Sequence, residues 1–286
     1  MSRRPVLRTA LVASAAALAL LLGGCASNAA PGAGSSAGGT PSADDYVTPG
    51  KFTVATGETA YEPYVYDDKP ESGEGFESAV AYAVADKLGF AKDDVEWVRT
   101  SFDAAIAPGP KSFDVNLQQY TITDDRKKGV DFSSPYYSAS QSIIALKGGK
   151  ADGVKDLAGL KDITIGAMAN STSALTLDAL DLGLTPKLYN SNEDATAALG
   201  AGQVDAVVLD TPTAYVAVSA YIEDSFIVGE LPKVGVEDQW GLLLAKDSPL
   251  TPAVSAAVDE LREDGTLAKL EKEWLSGLTA GVTKLQ

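Results

Sequence analysis

Arg126 is the residue in this 286-residue chain whose type and setting most clearly suggest chemistry. It follows Thr123, a side chain suited to cap a helix, and Asp124 and Asp125, which suit a helix's first turn. A guanidinium there presents a planar fork beside unpaired backbone amides, a combination that holds a carboxylate. The same spacing also suits an arginine that merely pairs with a neighbouring aspartate. Asp210 is a second candidate. It ends the apolar run 206–209 and precedes Thr211-Pro212, a helix start. A carboxylate in that position would meet an ammonium by a charge-assisted bond, or cap its own helix. Cys25 is the third, and the chain's only cysteine. Without a second cysteine there is no intrachain disulfide. The absence of histidine removes Ser-His-Asp triads, Cys-His dyads and histidine-bearing metal motifs. No Asp-x-Asp-x-Asp-Gly loop is present either. No metal and no cofactor is expected.

The elements that must position these residues alternate. Strands are predicted at 52–56, 95–99, 113–117, 142–146, 163–167, 187–189, 206–209 and 241–245. Helices are predicted at 78–88, 171–182, 192–199, from 211 onward, at 252–264 and after 265. Such alternation implies an α/β architecture. Ahead of them lies a charged start with Arg3, Arg4 and Arg8, an apolar run at 10–22, and Gly23-Gly24-Cys25. The run is short for a membrane span and reads as a secretory signal over 1–24. Leu22-Gly23-Gly24-Cys25 looks like a lipobox, in which the Cys25 thiol is acylated after cleavage. Residues 25–46 are Gly, Ser, Ala, Pro and Thr for most of their length and read as a tether. The net charge of −16 argues against nucleic acid as a partner.

The run Tyr120-Thr-Ile-Thr-Asp-Asp-Arg126-Lys-Lys-Gly-Val-Asp-Phe-Ser-Ser-Pro-Tyr-Tyr137 resembles the bacterial family 3 extracellular solute-binding proteins, amino-acid receptors of ABC importers. The likeness extends over about 50–275. It implies a two-lobed, type II periplasmic-binding-protein-like fold with the ligand cleft between the lobes. Lobe one would hold 47–143 plus 241–286, and lobe two 148–236, with crossings near 144–147 and 236–240. Arg126 and Thr121 match the family's carboxylate clamp. Ser171 and Thr172 match its second clamp, with Asn170 in place of the usual glycine; asparagine tolerates the left-handed backbone such a turn needs. Asp205-Ala-Val-Val-Leu-Asp210 matches the segment that meets the ligand ammonium. Tyr61 and Phe102 match the walls around the side chain. Glu58, near a position where relatives often carry an aspartate, would favour a cationic side chain if buried. Gln118 and Gln119 replace small residues, and Ala79 replaces an aspartate.

The resemblance implies a lipid-anchored, monomeric receptor on the extracytoplasmic face of the cell membrane. It would capture a polar amino acid by lobe closure and hand it to an ABC permease and its ATPase. Two other readings stand beside it. One is an enzyme on the same fold of the cyclohexadienyl dehydratase type, in which Glu58, Glu77 or Asp210 would do acid–base work. The other is a sensor or adhesin without a transporter.

Overall fold

The computed structural model describes residues 41–278 and 281–286. Cys25, the signal sequence and most of the tether lie outside the described residues. Two five-stranded mixed sheets carry the fold, with helices packed against each. The first contains β1 (Phe52–Gly57), β2 (Val95–Thr100), β3 (Val115–Asn116), β4 (Val130–Ser138) and β10 (Gln239–Ala245), in the order β2-β1-β3-β10-β4. The second contains β5 (Gln141–Leu146), β6 (Ile165–Met168), β7 (Lys187–Tyr189), β8 (Ala206–Asp210) and β9 (Ser225–Glu230), in the order β7-β6-β8-β5-β9.

The inner strands of both sheets are buried on both faces, and successive strand residues feed different cores. In the first sheet Val54 packs with α1 (Phe76–Lys87) and α6 (Thr251–Glu263), while neighbouring Ala55 packs with Phe113, Tyr120 and Leu243 on the other face. In the second, Ile143 and Val208 meet Leu177 of α3 (Thr172–Ala179), whereas Ile144 and Val207 meet Ala198 and Leu199 of α4 (Asn192–Gly200). Continuous apolar strands flanked by helices therefore produce two compact lobes.

Three sequence expectations are corrected here. The first crossing lies at Ala139-Ser140, not at 144–147, because the whole of β5 pairs with β8 and β9 in the second sheet. The lobe-one assignment of 241–286 is too long, since the tail returns to the second lobe. Leu285 is buried in that lobe's core, its amide donates to the Glu230 carbonyl at 2.9 Å, and the Leu157 amide donates to the Gln286 carbonyl. Gly229 permits this return; a Cβ there would lie 2.7 Å from Leu285 Cγ. Residues at the end of the presumed tether are also ordered into the fold: Tyr46 packs edge-on against Phe52 and Phe90.

The motif strand β4 includes Pro135, which the sheet accommodates because β4 is an edge strand. Its partner β10 bulges around Gly241. The two crossings touch each other, with the Ala139 amide donating to the Asp238 carbonyl at 2.8 Å. Among the described residues, no helix is long and apolar enough to cross a membrane.

Candidate functional site

A cavity of about 1170 Å³ opens between the two sheets. Nine of the ten ligand-binding candidates line it: Glu58, Tyr61, Phe102, Gln118, Gln119, Arg126, Ser171, Thr172 and Asp210. Thr121 does not. Its hydroxyl turns away to donate to the Asp238 carboxylate, and its carbonyl accepts from Arg126.

Arg126 sits at the start of a single 3-10 turn, Arg126–Lys128, rather than on a longer helix. Its own amide donates to Thr123 Oγ1 at 3.1 Å, and the Lys127 and Lys128 amides donate to the Thr123 and Asp125 carbonyls, so all three amides of this turn are already engaged. The guanidinium is fixed in three ways. One terminal nitrogen donates to the Thr121 carbonyl and the other to the Asn170 carbonyl, both at 2.8 Å. Its Cζ lies 5.3 Å from the centre of the Phe102 ring, which in turn stacks on Tyr120. Phe102 is brought in by α2 (Phe102–Ile106), a helix capped by Ser101. Burial pulls the arginine below its usual range, which raises the value of a carboxylate partner.

Across the cleft, Asn170 takes the left-handed conformation its replacement of glycine requires, at φ 60°. That turn aims its carbonyl at Arg126 and starts α3. Ser171 caps the helix by accepting from the Ala174 amide at 3.2 Å, and its hydroxyl donates to the Met168 carbonyl. Ser171 and Thr172 thus present a helix start to the cleft opposite Arg126.

Asp210 occupies the cap position of α5 (Thr211–Val216), but its side chain makes no cap bond. It accepts instead from Gln141 Nε2 at 2.5 Å. Burial, followed by the charge of Asp238, pushes its carboxyl well above the usual carboxylate range. Such a group gains from an incoming cation.

Glu58 is exposed at the cleft wall, so the buried acid of this pocket is a different residue. Glu77, the second residue of α1, is 1% exposed. It accepts from the Gln119 amide (2.8 Å), Gln119 Nε2 (2.5 Å) and the Tyr136 hydroxyl (2.5 Å). Burial pushes it up to about 7 against the opposing pull of those bonds. Gln119, at φ 53°, is held in its strained conformation by this carboxylate, while Gln118 Oε1 accepts from the Tyr120 hydroxyl. Gly75 makes the placement possible: its φ of 105° and close approach to the Tyr64 carbonyl leave no room for a Cβ. Ala79 is not part of the cavity wall.

Tyr61 meets Tyr221 edge-on from the opposite lobe at 6.4 Å. Tyr64 also reaches across, its hydroxyl 2.9 Å from Thr213 Oγ1. Sequence reasoning singled out neither Tyr221 nor the pair Gln141 and Asp238; nothing in their local sequence marks them. The wall as a whole is acidic, with Glu58, Glu62, Glu77, Asp103, Glu193, Asp210, Glu223 and Asp224 set against Arg126 and Lys147.

Residues 52–277 match the family model for bacterial extracellular solute-binding proteins, family 3. The arginine-binding extracellular protein ArtP of Bacillus subtilis is 29% identical over 266 residues, which is 91% of this chain and 98% of that protein. An ancestral arginine-binding protein, solved bound to glutamine, superimposes with a TM-score of 0.65 at 34% identity, over 79% of this chain and 97% of its own. The ancestral amino acid-binding protein AncCDT-1, a precursor of cyclohexadienyl dehydratase, gives 0.64 at 30% identity, over 79% and 95%.

Proposed function

The chain belongs to the bacterial extracellular solute-binding proteins, family 3, and on that premise we propose that it captures a polar α-amino acid, preferentially one with a cationic side chain, for an ABC importer. The observation that carries this reading is the pairing of Arg126 with Asp210 in one cavity. An α-amino acid brings one carboxylate and one ammonium, and each needs a partner when desolvated. Arg126 takes the carboxylate, with Ser171 and Thr172 at the start of α3 completing the clamp. Asp210 takes the ammonium. Tyr61 and Phe102 enclose the side chain, Gln118 and Gln119 shape the floor, and Thr121 acts through its carbonyl by orienting Arg126.

The preference for a cation rests on the acidic wall, with Glu77 buried at the floor and Glu58 nearer solvent. Arginine is what the named Bacillus subtilis relative binds. Ligand contacts to both lobes would favour the closed arrangement, since only differential contacts shift such an equilibrium. The receptor is a monomer held at the extracytoplasmic face by a lipid on Cys25, and the closed form is what its permease reads.

A thermal-shift screen against amino acids and small polyamines tests the reading. Ligand at 100 times its dissociation constant adds about 2.7 kcal/mol. At roughly 2–4 °C per kcal/mol, the shift is about 5–10 °C. A shift with L-arginine or L-lysine is expected. A shift with neutral amino acids alone would remove the cation preference, and none with any amino acid would remove the receptor.

The enzyme reading has one observation in its favour. Glu77 is pushed up to about 7, where a general acid works best. Turnover of prephenate or arogenate would establish it; none is expected, because Glu77 is already engaged by three donors from its own lobe.

A further inference from the structure

Gln141 stands at the entry to the second lobe and joins two carboxylates. Its side-chain Nε2 donates to Asp210 Oδ1 and to Asp238 Oδ2, each at 2.5 Å. Its Oε1 accepts from Ser173 Oγ at 2.6 Å. The amide cannot be reversed without turning its oxygen onto two carboxylates, so the orientation is fixed by the network. Asp238 lies on the second crossing between lobes. Its carboxylate accepts from the Thr121 hydroxyl in lobe one and lies 3.4 and 3.5 Å from Thr172 Oγ1 in lobe two. Thr121 and Thr172 are 1% and 9% exposed, and Asp238 between them is half-buried.

We propose that Asp238 is a positioning residue that couples occupation of Asp210 to lobe closure, acting as a latch between Thr121 on one lobe and Gln141 and Thr172 on the other. The coupling rests on the reading that Asp210 receives the ligand ammonium. Two carboxylates sharing one amide repel each other, so Gln141 holds the pair less closely while the site is empty. An ammonium on the cleft side of Asp210 offsets that repulsion. With the repulsion offset, Gln141 draws both carboxylates closer, and the latch tightens. By linkage the effect is reciprocal: a closed latch raises affinity for the ammonium by the same factor.

The test is pulsed dipolar spectroscopy between spin labels at Glu96→Cys and Leu188→Cys, exposed edge-strand positions on the two sheets, in a full-length Cys25→Ser background. Asp238→Asn removes the charge and leaves one acceptor oxygen where two donors, Gln141 Nε2 and the Thr121 hydroxyl, each need one. Without ligand it is expected to shift the population toward longer interlobe distances. Titrations would use L-arginine and 5-guanidinopentanoate, which lacks the α-ammonium. The substitution is expected to weaken L-arginine at least tenfold and the analogue less than threefold. Gln141→Met, which removes both donors, should act in the same direction and keeps the test decisive if Asp238→Asn melts early. An unchanged ligand-free distance in both variants, or equal losses for both ligands, overturns the latch. The ligand-free comparison decides it even if L-arginine does not bind. Failure of the receptor reading shows separately, as no closure of the unsubstituted protein with any amino acid.

Discussion

Arg126 on the first lobe donates to the Asn170 carbonyl on the second at 2.8 Å, so the residue that would clamp a ligand carboxylate also touches the turn that starts α3. The two segments that would form the clamp are therefore in register, set by a guanidinium held between two carbonyls. Arg126→Ala should abolish amino-acid binding without unfolding the protein. Charge-assisted bonds contribute about 1.5–3 kcal/mol each, so loss of a bidentate pair weakens binding by roughly two to four orders of magnitude. Arg126→Lys retains charge but not the fork and should fall between. Titration calorimetry reads both, and an unaltered dissociation constant in the alanine variant would sink the clamp.

Asp210 is the complementary test. Asp210→Asn preserves an acceptor for Gln141 while removing the negative charge, so lobe packing should survive. Affinity for an α-amino acid should fall about tenfold to a thousandfold, as expected for a charge-assisted bond in a desolvated site. An unchanged constant would reduce Asp210 to the start of its helix.

How much of this was legible depends on range. Arg126, Asp210, Ser171 and Thr172 sit at strand ends and helix starts, where local sequence states both the element and the chemistry. Asn170 could be read too, because few residues take its left-handed turn. Whether Glu58 is buried is not legible, because local sequence does not say which way a side chain faces; Glu58 is exposed, and Glu77, one helical turn from Val80 and Ala81 of the core, is the one enclosed. Gln141 and Asp238 gain their roles only from pairing across 97 residues. The crossing at Ala139-Ser140 was misplaced for a related reason. An apolar strand such as β5 suits either sheet until its partners β8 and β9 are known.

Cys25→Ser addresses the anchor. If the thiol carries the lipid, the variant should leave the membrane fraction for the soluble fraction while its ligand affinity stays unchanged. A variant still sedimenting with membranes would overturn the lipobox.

Glu77 gives a pH dependence whose sign is fixed by its surroundings. Its carboxyl is raised to about 7 in the folded protein, against 4.5 for an unhindered glutamate. Between these values the folded state holds a proton that the unfolded state has released, so stability falls as pH rises through the window. The slope is about 1.4 kcal/mol per pH unit, a total on the order of 3 kcal/mol, and it is flat above and below. The ionisable groups around it are Tyr136, which donates to it, and the nearby Tyr64 and Asp210. Glu77→Gln removes the titration. Denaturant melts of both proteins from pH 4 to 8 should show the unsubstituted protein losing stability relative to the variant across that window. A difference that instead grows with pH would mean that the three donors hold Glu77 ionised and outweigh burial. Saturating L-arginine gives the functional half of the test: if the guanidinium meets Glu77, it stabilises the carboxylate and the slope should flatten. A slope unchanged by ligand would separate Glu77 from side-chain recognition and leave it as the support for Gln119.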